Sequence, residues 1–230
     1  MRPVTDPTPA VITESRRLRD KLELVLPLLG GADRRLAAHP RLREIYPEWL
    51  VLWHGMIRAS VPLLETALAT ARTLPDDPVA VRLSGYFAHH IPEELHHDEW
   101  LLADLEVLGV PRDEVLGRVP SPTVAALVGS QYYWVQHVHP VGLIGYIALL
   151  EGYPSTRQAV DQLQSATGFP PEAFRTLLLH ADLDPHHGDE LDDLVDSLPL
   201  SDQQRTLAGL SAMASVELMA RAQQELLERY

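Results

Sequence analysis

Two stretches of this 230-residue chain repeat one spacing of metal-binding groups. Residues 90–97 read His-Ile-Pro-Glu-Glu-Leu-His-His, and residues 180–187 read His-Ala-Asp-Leu-Asp-Pro-His-His. Each holds a histidine, a carboxylate four positions on, and a histidine three beyond that. An α-helix turns about 100° per residue, so His90, Glu94 and His97 fall within an arc of about 60°, as do His180, Asp184 and His187. Helical bundles hold iron or manganese in their cores by converging imidazoles and carboxylates from separate helices in this way.

Two further carboxylates stand out by their surroundings. Glu65 has Val61, Pro62, Leu68 and Ala69 three and four positions away, and Glu151 follows the run 141–150 with Ile144, Ile147 and Ala148 on its face. Each is expected to point inward, where an ionised carboxylate is costly unless paired or bound to a cation. The basic residue nearest on either face is Arg58, two turns before Glu65. A metal would supply the missing charge. Each feature alone has a plainer reading: a surface His–Asp pair, a salt-bridged core acid, a helix-terminal acid. Together, four carboxylates and three histidines on separate helices suit two metal ions a few ångströms apart. His96, His186 and Asp182 point away from the arcs and read as solvated. His89 and His90 read as packing residues or as support behind the ligands. Tyr132, Tyr133, Trp134, His137 and His139, close together before Pro140, read as lining a substrate pocket rather than binding metal.

Composition narrows the field. The chain lacks cysteine, which excludes disulfides, thiolate-bound zinc, iron–sulfur clusters and a cysteine nucleophile. Any metal must therefore be held by nitrogen and oxygen. A net charge of −13 argues against nucleic acid, whose phosphates need a basic face. The longest apolar run, 141–150, is ten residues, well short of the roughly 18 that suggest a membrane span. Residues 1–10 lack the apolar centre of a signal peptide, so a cytoplasmic location is expected.

The elements that must carry these residues read as helices. Apolar residues recur at three-to-four spacing and proline and glycine divide the segments. Helices are expected over 12–29, 47–74, 79–90, 92–108, 121–138, 140–151 and 155–166. Another, carrying His180, opens after Pro171, and the last runs from Ser201-Asp-Gln-Gln204, a capping-box pattern, to about 228. Pro92 is expected to break the chain between the third and fourth. Pro185 is expected to distort the helix of Asp184 and His187. No linker is evident, so a single all-α domain over 1–230 is expected.

Several motifs recur together. They are Ser60-Val-Pro-Leu-Leu-Glu65, Glu93-Glu-Leu-His-His-Asp-Glu-Trp-Leu-Leu-Ala-Asp-Leu105, Gly145-Tyr-Ile-Ala-Leu-Leu-Glu151, and His180-x3-Asp184-x2-His187 followed by Glu190-Leu-Asp-Asp-Leu194. In this order the sequence, from about residue 45 onward, resembles the heme-oxygenase-like di-iron oxidases and oxygenases, often labelled iron-containing redox enzymes. The resemblance implies a seven-helix bundle like that of heme oxygenase. It implies the ligands Glu65, Glu94, His97, Glu151, His180, Asp184 and His187, two Fe(II) ions, and O2 as co-substrate. Members of that family oxygenate amine nitrogens or cleave C–C bonds in amino or fatty acids. A small-molecule substrate is thus implied, with an external electron donor and a homodimer left open. The thiaminase relatives of the fold use a cysteine nucleophile, which this chain lacks.

Two other classes stay open at this stage. His97-Asp98 could imitate the His-Asp pair of a helical metal-dependent phosphohydrolase, although that leaves Glu65 and Glu151 without a role. A metal- or tetrapyrrole-binding protein on the same fold is the other.

Overall fold

The computed structural model describes residues 12–153 and 155–230, without the side chains of 183–186. Eleven α-helices and one short 3-10 helix make up these residues, and no strand occurs among them. They are α1 (Glu14–Ala37), α2 (Leu42–Ile57), α3 (Ser60–Arg72), α4 (Pro78–Glu94), α5 (His97–Val107), α6 (Arg112–Gly117), α7 (Pro122–His137), α8 (Gly142–Gly152), α9 (Arg157–Thr167), α10 (Arg175–Ser197) and α11 (Asp202–Leu227). The all-α fold class expected from the periodicity is what the chain adopts.

Local chemistry sets the ends. Asp77 caps α4 by accepting from the backbone N–H of Val79 and Ala80, with Pro78 at the first helical position. Ser121 and Pro122 do the same for α7, and Thr156 caps α9. Gly168, in the left-handed region at φ 63°, stops α9. The capping box at Ser201 and Gln204 opens α11 as its pattern predicts.

Some boundaries fall elsewhere than the sequence suggests. Helix α1 runs straight through Gly30 and Gly31, since isolated glycines cost a helix only about 1 kcal/mol each. The expected helix over 47–74 is two, parted at residues 58–59. Pro92 does not break the chain. It lies in the last turn of α4, and the break comes at Leu95 and His96. Helix α10 continues from Arg175 to Ser197 through Pro185.

Helix α11 is the spine, packed along α1, α7 and α8. Buried Gln131 on α7 ties to it by accepting from Ser211 Oγ and donating to Ser215 Oγ. One apolar core gathers residues of α1, α3, α4, α7, α8 and α11. A second joins α2 and α5 to Phe174, where Tyr46 stacks at 4.8 Å and donates its hydroxyl to Ala173 O. Helices α4, α5, α8 and α10 bring the chemistry-bearing residues together between these two cores.

The contact of α8 on α11 leaves no room for a side chain at Gly145. A Cβ there would stand 2.2 Å from Ala208 O and 2.5 Å from Ala212 N, both backbone atoms. Gly145→Ala is therefore expected to cost about 3 kcal/mol or more, beyond ordinary overpacking. Gly129→Ala, on the exposed side of α7 with open space around it, is expected to stabilise by about 0.5–1 kcal/mol. Paired thermal melts check both; similar shifts in the two would contradict this packing.

Candidate metal centre

The site starts where two helices stop. Helix α4 ends at Glu94, Leu95 caps it, and His96 takes a left-handed conformation at φ 74°. That conformation costs a non-glycine residue of order 1 kcal/mol. It turns the chain so that His97 opens α5 facing back at Glu94. Hence Glu94 and His97 do not share one helical arc, as their spacing suggested. A kink between two helices juxtaposes them, with His97 Nδ1 3.4 Å from Glu94 Oε2.

Glu151 arrives from α8, at the end of its apolar run, and is only 7% exposed. Its Oε1 lies 2.7 Å from His90 Nε2, and its Oε2 has no hydrogen-bond partner. His90 Nε2 is also 3.8 Å from Glu94 Oε1. One ligand atom from each of His90, Glu94 and Glu151 lies within 4.8 Å of the others. Helix α10 supplies two more imidazoles. The His180 ring meets that of His97 edge-on at 4.9 Å, and the His187 ring meets that of His90 at 5.4 Å. Glu94 therefore lies between two imidazole pairs, His97 with His180 and His90 with His187.

Two buried groups hold these helices in place. Asp104, two turns after His97 on α5, accepts from the backbone N–H of Thr176 in the first turn of α10. Thr176 lies one turn before His180, so a single capping bond sets the two histidine-bearing helices against each other. Glu93 Oε2 lies 3.1 Å from His90 Nδ1. A carboxylate on the far nitrogen fixes a ligand imidazole's orientation and raises its basicity.

The electrostatics point to a missing cation. Burial works against a charged His90, but the hydrogen bond from Glu151 and the charges of Glu151 and Glu94 outweigh it and hold its pKa up at about 9. Burial raises the Glu151 carboxyl, partly offset by His90. Glu94 ends below its usual range, because His97, His90 and His180 together overcome its burial. The groups that chiefly stabilise these two carboxylates are all imidazoles. The donor set, nitrogen and carboxylate oxygen with one orphaned carboxylate oxygen, fits one or more divalent metal ions. Glu94, Glu151, His90, His97, His180 and His187 could hold them.

An apolar cavity of about 550 Å³ opens from this cluster. His90, Glu94, Glu151 and His180 form part of its wall, and Leu64, Leu101, Leu143, Ile147, Trp49 and Trp53 form much of the rest. Tyr146 lines it too, with a buried hydroxyl that has no partner and that burial and the charge of Glu94 hold protonated. Its volume suits a small organic ligand.

Not every residue singled out in the sequence comes here. Glu65 is exposed on α3, on the side toward Tyr132. The stripe that α3 buries is Leu63, Leu64, Ala67 and Ala71, and Glu65 sits about 100° from Leu64 around the helix. Its apolar neighbours Pro62 and Ala69 are exposed as well. The aromatic and histidine residues near Pro140 do not line the cavity either. Tyr133 and His137 are exposed and touch each other, Tyr132 is half-buried, and Trp134 packs over Gly142. His139 is structural. Its Nδ1 accepts from Val141 N–H and its Nε2 reaches Asp77 at 3.2 Å, joining the turn before α8 to the cap of α4. The Asp184 side chain lies outside the described residues.

The sequence reading placed His90 behind the ligands rather than among them, and did not single out Tyr146. His90 has Glu93 and Glu94 at helical i+3 and i+4, a signal available in the sequence. Tyr146 carries the one hydroxyl of the apolar run 141–150.

Three solved structures place the fold. A domain with a heme oxygenase-like fold from Shewanella denitrificans is 16% identical, with a TM-score of 0.76, over 94% of this chain and 90% of that one. A TenA homolog from Pseudomonas syringae pathovar tomato is 12% identical, with a TM-score of 0.72, over 97% and 98%. A CADD-like protein of unknown function from Nostoc punctiforme is 16% identical, with a TM-score of 0.63, over 94% and 98%. No curated protein matches. This is an all-α protein of heme oxygenase-like fold. Residues 58–220, most of the chain and all of the cluster, match the model of one family, and the chain belongs to it: the iron-containing redox enzymes.

The proton on His90 generates a test. A metal bound through Nε2 must displace it, so affinity should rise with pH while His90 remains protonated. From pH 7 to about 9 the expected gain is roughly tenfold per unit, flattening above. Isothermal titration with Mn(II) or Co(II), which stay divalent in air more readily than iron, measures the slope. His90→Gln should flatten it. A pH-independent affinity in the unaltered chain would remove His90 from the metal's reach.

Proposed function

We propose that this chain is a non-haem di-iron oxidase or oxygenase that uses O2 to oxidise a small organic substrate. The observation that carries the reading is buried Glu151 and largely buried Glu94 set among four histidines, with no lysine or arginine in the wall of the adjoining cavity among the described residues. Glu94, Glu151, His90, His97, His180 and His187 would hold the two irons. Asp184 joins the set by the family spacing. Bound iron would supply the electron transfers to O2 that organic side chains cannot.

The rest falls to the chain's own residues. Glu93 keeps the His90 ring turned so that Nε2 faces inward. The leucine-lined cavity excludes bulk water, so that a reactive oxidant meets substrate first. The Tyr146 hydroxyl, protonated and without a partner, can donate a hydrogen bond to an oxygen atom near Glu94. A phosphohydrolase reading is less well supported, because a phosphate ester would find no lysine or arginine in this cavity among the described residues. Asp98, its proposed partner to His97, is not among the residues around the cavity.

Anaerobic titration with Fe(II) is expected to saturate near two equivalents per chain, and addition of O2 to oxidise that iron. A plateau at zero would end the proposal. Glu151→Ala is expected to slow O2 consumption by about 100-fold, on the scale of losing a ligand or its supporting group. Glu65→Ala, altering the exposed side of α3, is expected to keep both equivalents; loss of one would return Glu65 to the centre. A plateau of two with no O2 uptake in any chain would favour metal binding without redox chemistry.

A further inference from the structure

The cavity has a second acidic feature, separate from the histidine–carboxylate cluster. Asp33 on α1 lines it. Buried Gln223 on α11 holds that carboxylate, donating from Nε2 to Asp33 Oδ1 at 3.0 Å while its Oε1 accepts from Trp49 Nε1 at 3.4 Å. Three helices thus orient one acid. Asp33 makes no ion pair. Its chief influences are burial, which pushes the carboxyl up, then the Gln223 bond and the adjacent Arg34, which pull it down. None of the cluster's groups is among them. Asp33 is nevertheless exposed, as are Ala37 beside it and Gln162 and Ala166 across the cavity on α9. These residues mark the mouth.

The charges of the wall are one-sided. Among the described residues its formal charges are Asp33, Glu94 and Glu151, beside His90 and His180. Metal ions at the cluster would pair with Glu94 and Glu151. Among the described residues, Asp33 would then be the acid of the wall left without a cation. A carboxylate fixed at the mouth of an apolar chamber attracts cations to it and repels anions.

We propose that Asp33 determines specificity for a cationic substrate: a primary amine on an apolar body, its ammonium paired with Asp33 near the mouth and its far end directed toward Glu94 and Glu151. This rests on the cavity being the substrate chamber of the proposed centre. Trp49 and Trp53 line the same chamber, and Trp49 is bonded to the glutamine that holds Asp33, so ligand entry should alter tryptophan fluorescence.

The test is a fluorescence titration of the full chain, Mn(II)-loaded at pH 7.5, with n-octylamine and n-octanol. The amine is expected to bind at least tenfold more tightly than the alcohol. Asp33→Asn should bring the amine to within about twofold of the alcohol and leave the alcohol unchanged. Asp33→Glu, which keeps the charge, should retain the amine's advantage and guards against a folding defect in the first variant. Equal binding of amine and alcohol, or an amine advantage that survives Asp33→Asn, would overturn the inference. Metal content measured on the same samples keeps the two readings apart. A chain without metal fails the di-iron proposal, whereas a metal-loaded chain indifferent to Asp33 fails only this one.

Discussion

Two carboxylates sunk into the protein without a fixed cation set the terms for the whole molecule. Glu94 and Glu151 each sit at the C-terminal end of a helix, α4 and α8. The helix dipole places partial negative charge there, which disfavours an acid and favours a cation. Burial adds a desolvation penalty of several kcal/mol per ion unless compensated. Without metal, the compensation comes from histidines, above all from a protonated His90. The arrangement is poor for the stability of the metal-free chain and well suited to binding divalent cations.

The scaffold around the cluster answers this cost with strong fixed contacts elsewhere. Gly145 lets α8 lie backbone against backbone on α11, which brings Glu151 to depth. The Asp104 bond to Thr176 fastens the start of α10 to α5, although burial raises that carboxyl and its second oxygen has no partner. Arg19 pairs with Asp192, and the Ser15 backbone N–H donates to Asp196, along the later part of α10. Between these anchors lies the segment with His180 and His187. Helix α10 is thus pinned at both ends, and Arg157 pairs with Asp182 between them.

How far the sequence disclosed this depends on the kind of signal. Glu151 was legible because ten apolar residues precede it and force the helix inward. Spacing brought out Glu94, His97, His180 and His187, yet for His97 the reasoning was only half right. The contact comes from a left-handed residue at His96, and nothing in Leu95-His96 announces that turn, whereas Pro92, which looked like the break, fits the last turn of α4. Glu65 shows the reverse failure. Apolar neighbours at three and four positions suggested burial, but the stripe that α3 buries is Leu63, Leu64, Ala67 and Ala71. Two faces of moderate hydropathy compete on a short helix, and packing against α4 and α7 decides between them. The aromatic cluster on α7 misled because large rings suit helix contacts and cavity walls equally. Asp33 was invisible, since its role depends on Gln223 and Trp49, each far away in sequence.

Metal binding and folding are coupled in such a design. A ligand that binds only the folded chain stabilises it by about 2.7 kcal/mol at a concentration 100 times its Kd. That is a sizeable share of the 5–15 kcal/mol by which a folded protein usually exceeds its unfolded state. Each proton displaced from His90 makes the linkage depend on pH, favouring the loaded state as the solution becomes more basic. The cavity changes character at the same step. Before loading, its wall carries three carboxylates and the protonated His90; afterwards Glu94 and Glu151 face metal, and Asp33 at the mouth is the acid without a cation. Metal would therefore close the cluster to competing cations and leave the mouth selective for one, so that a cationic substrate is drawn to Asp33 rather than to the ligands that must hold the iron.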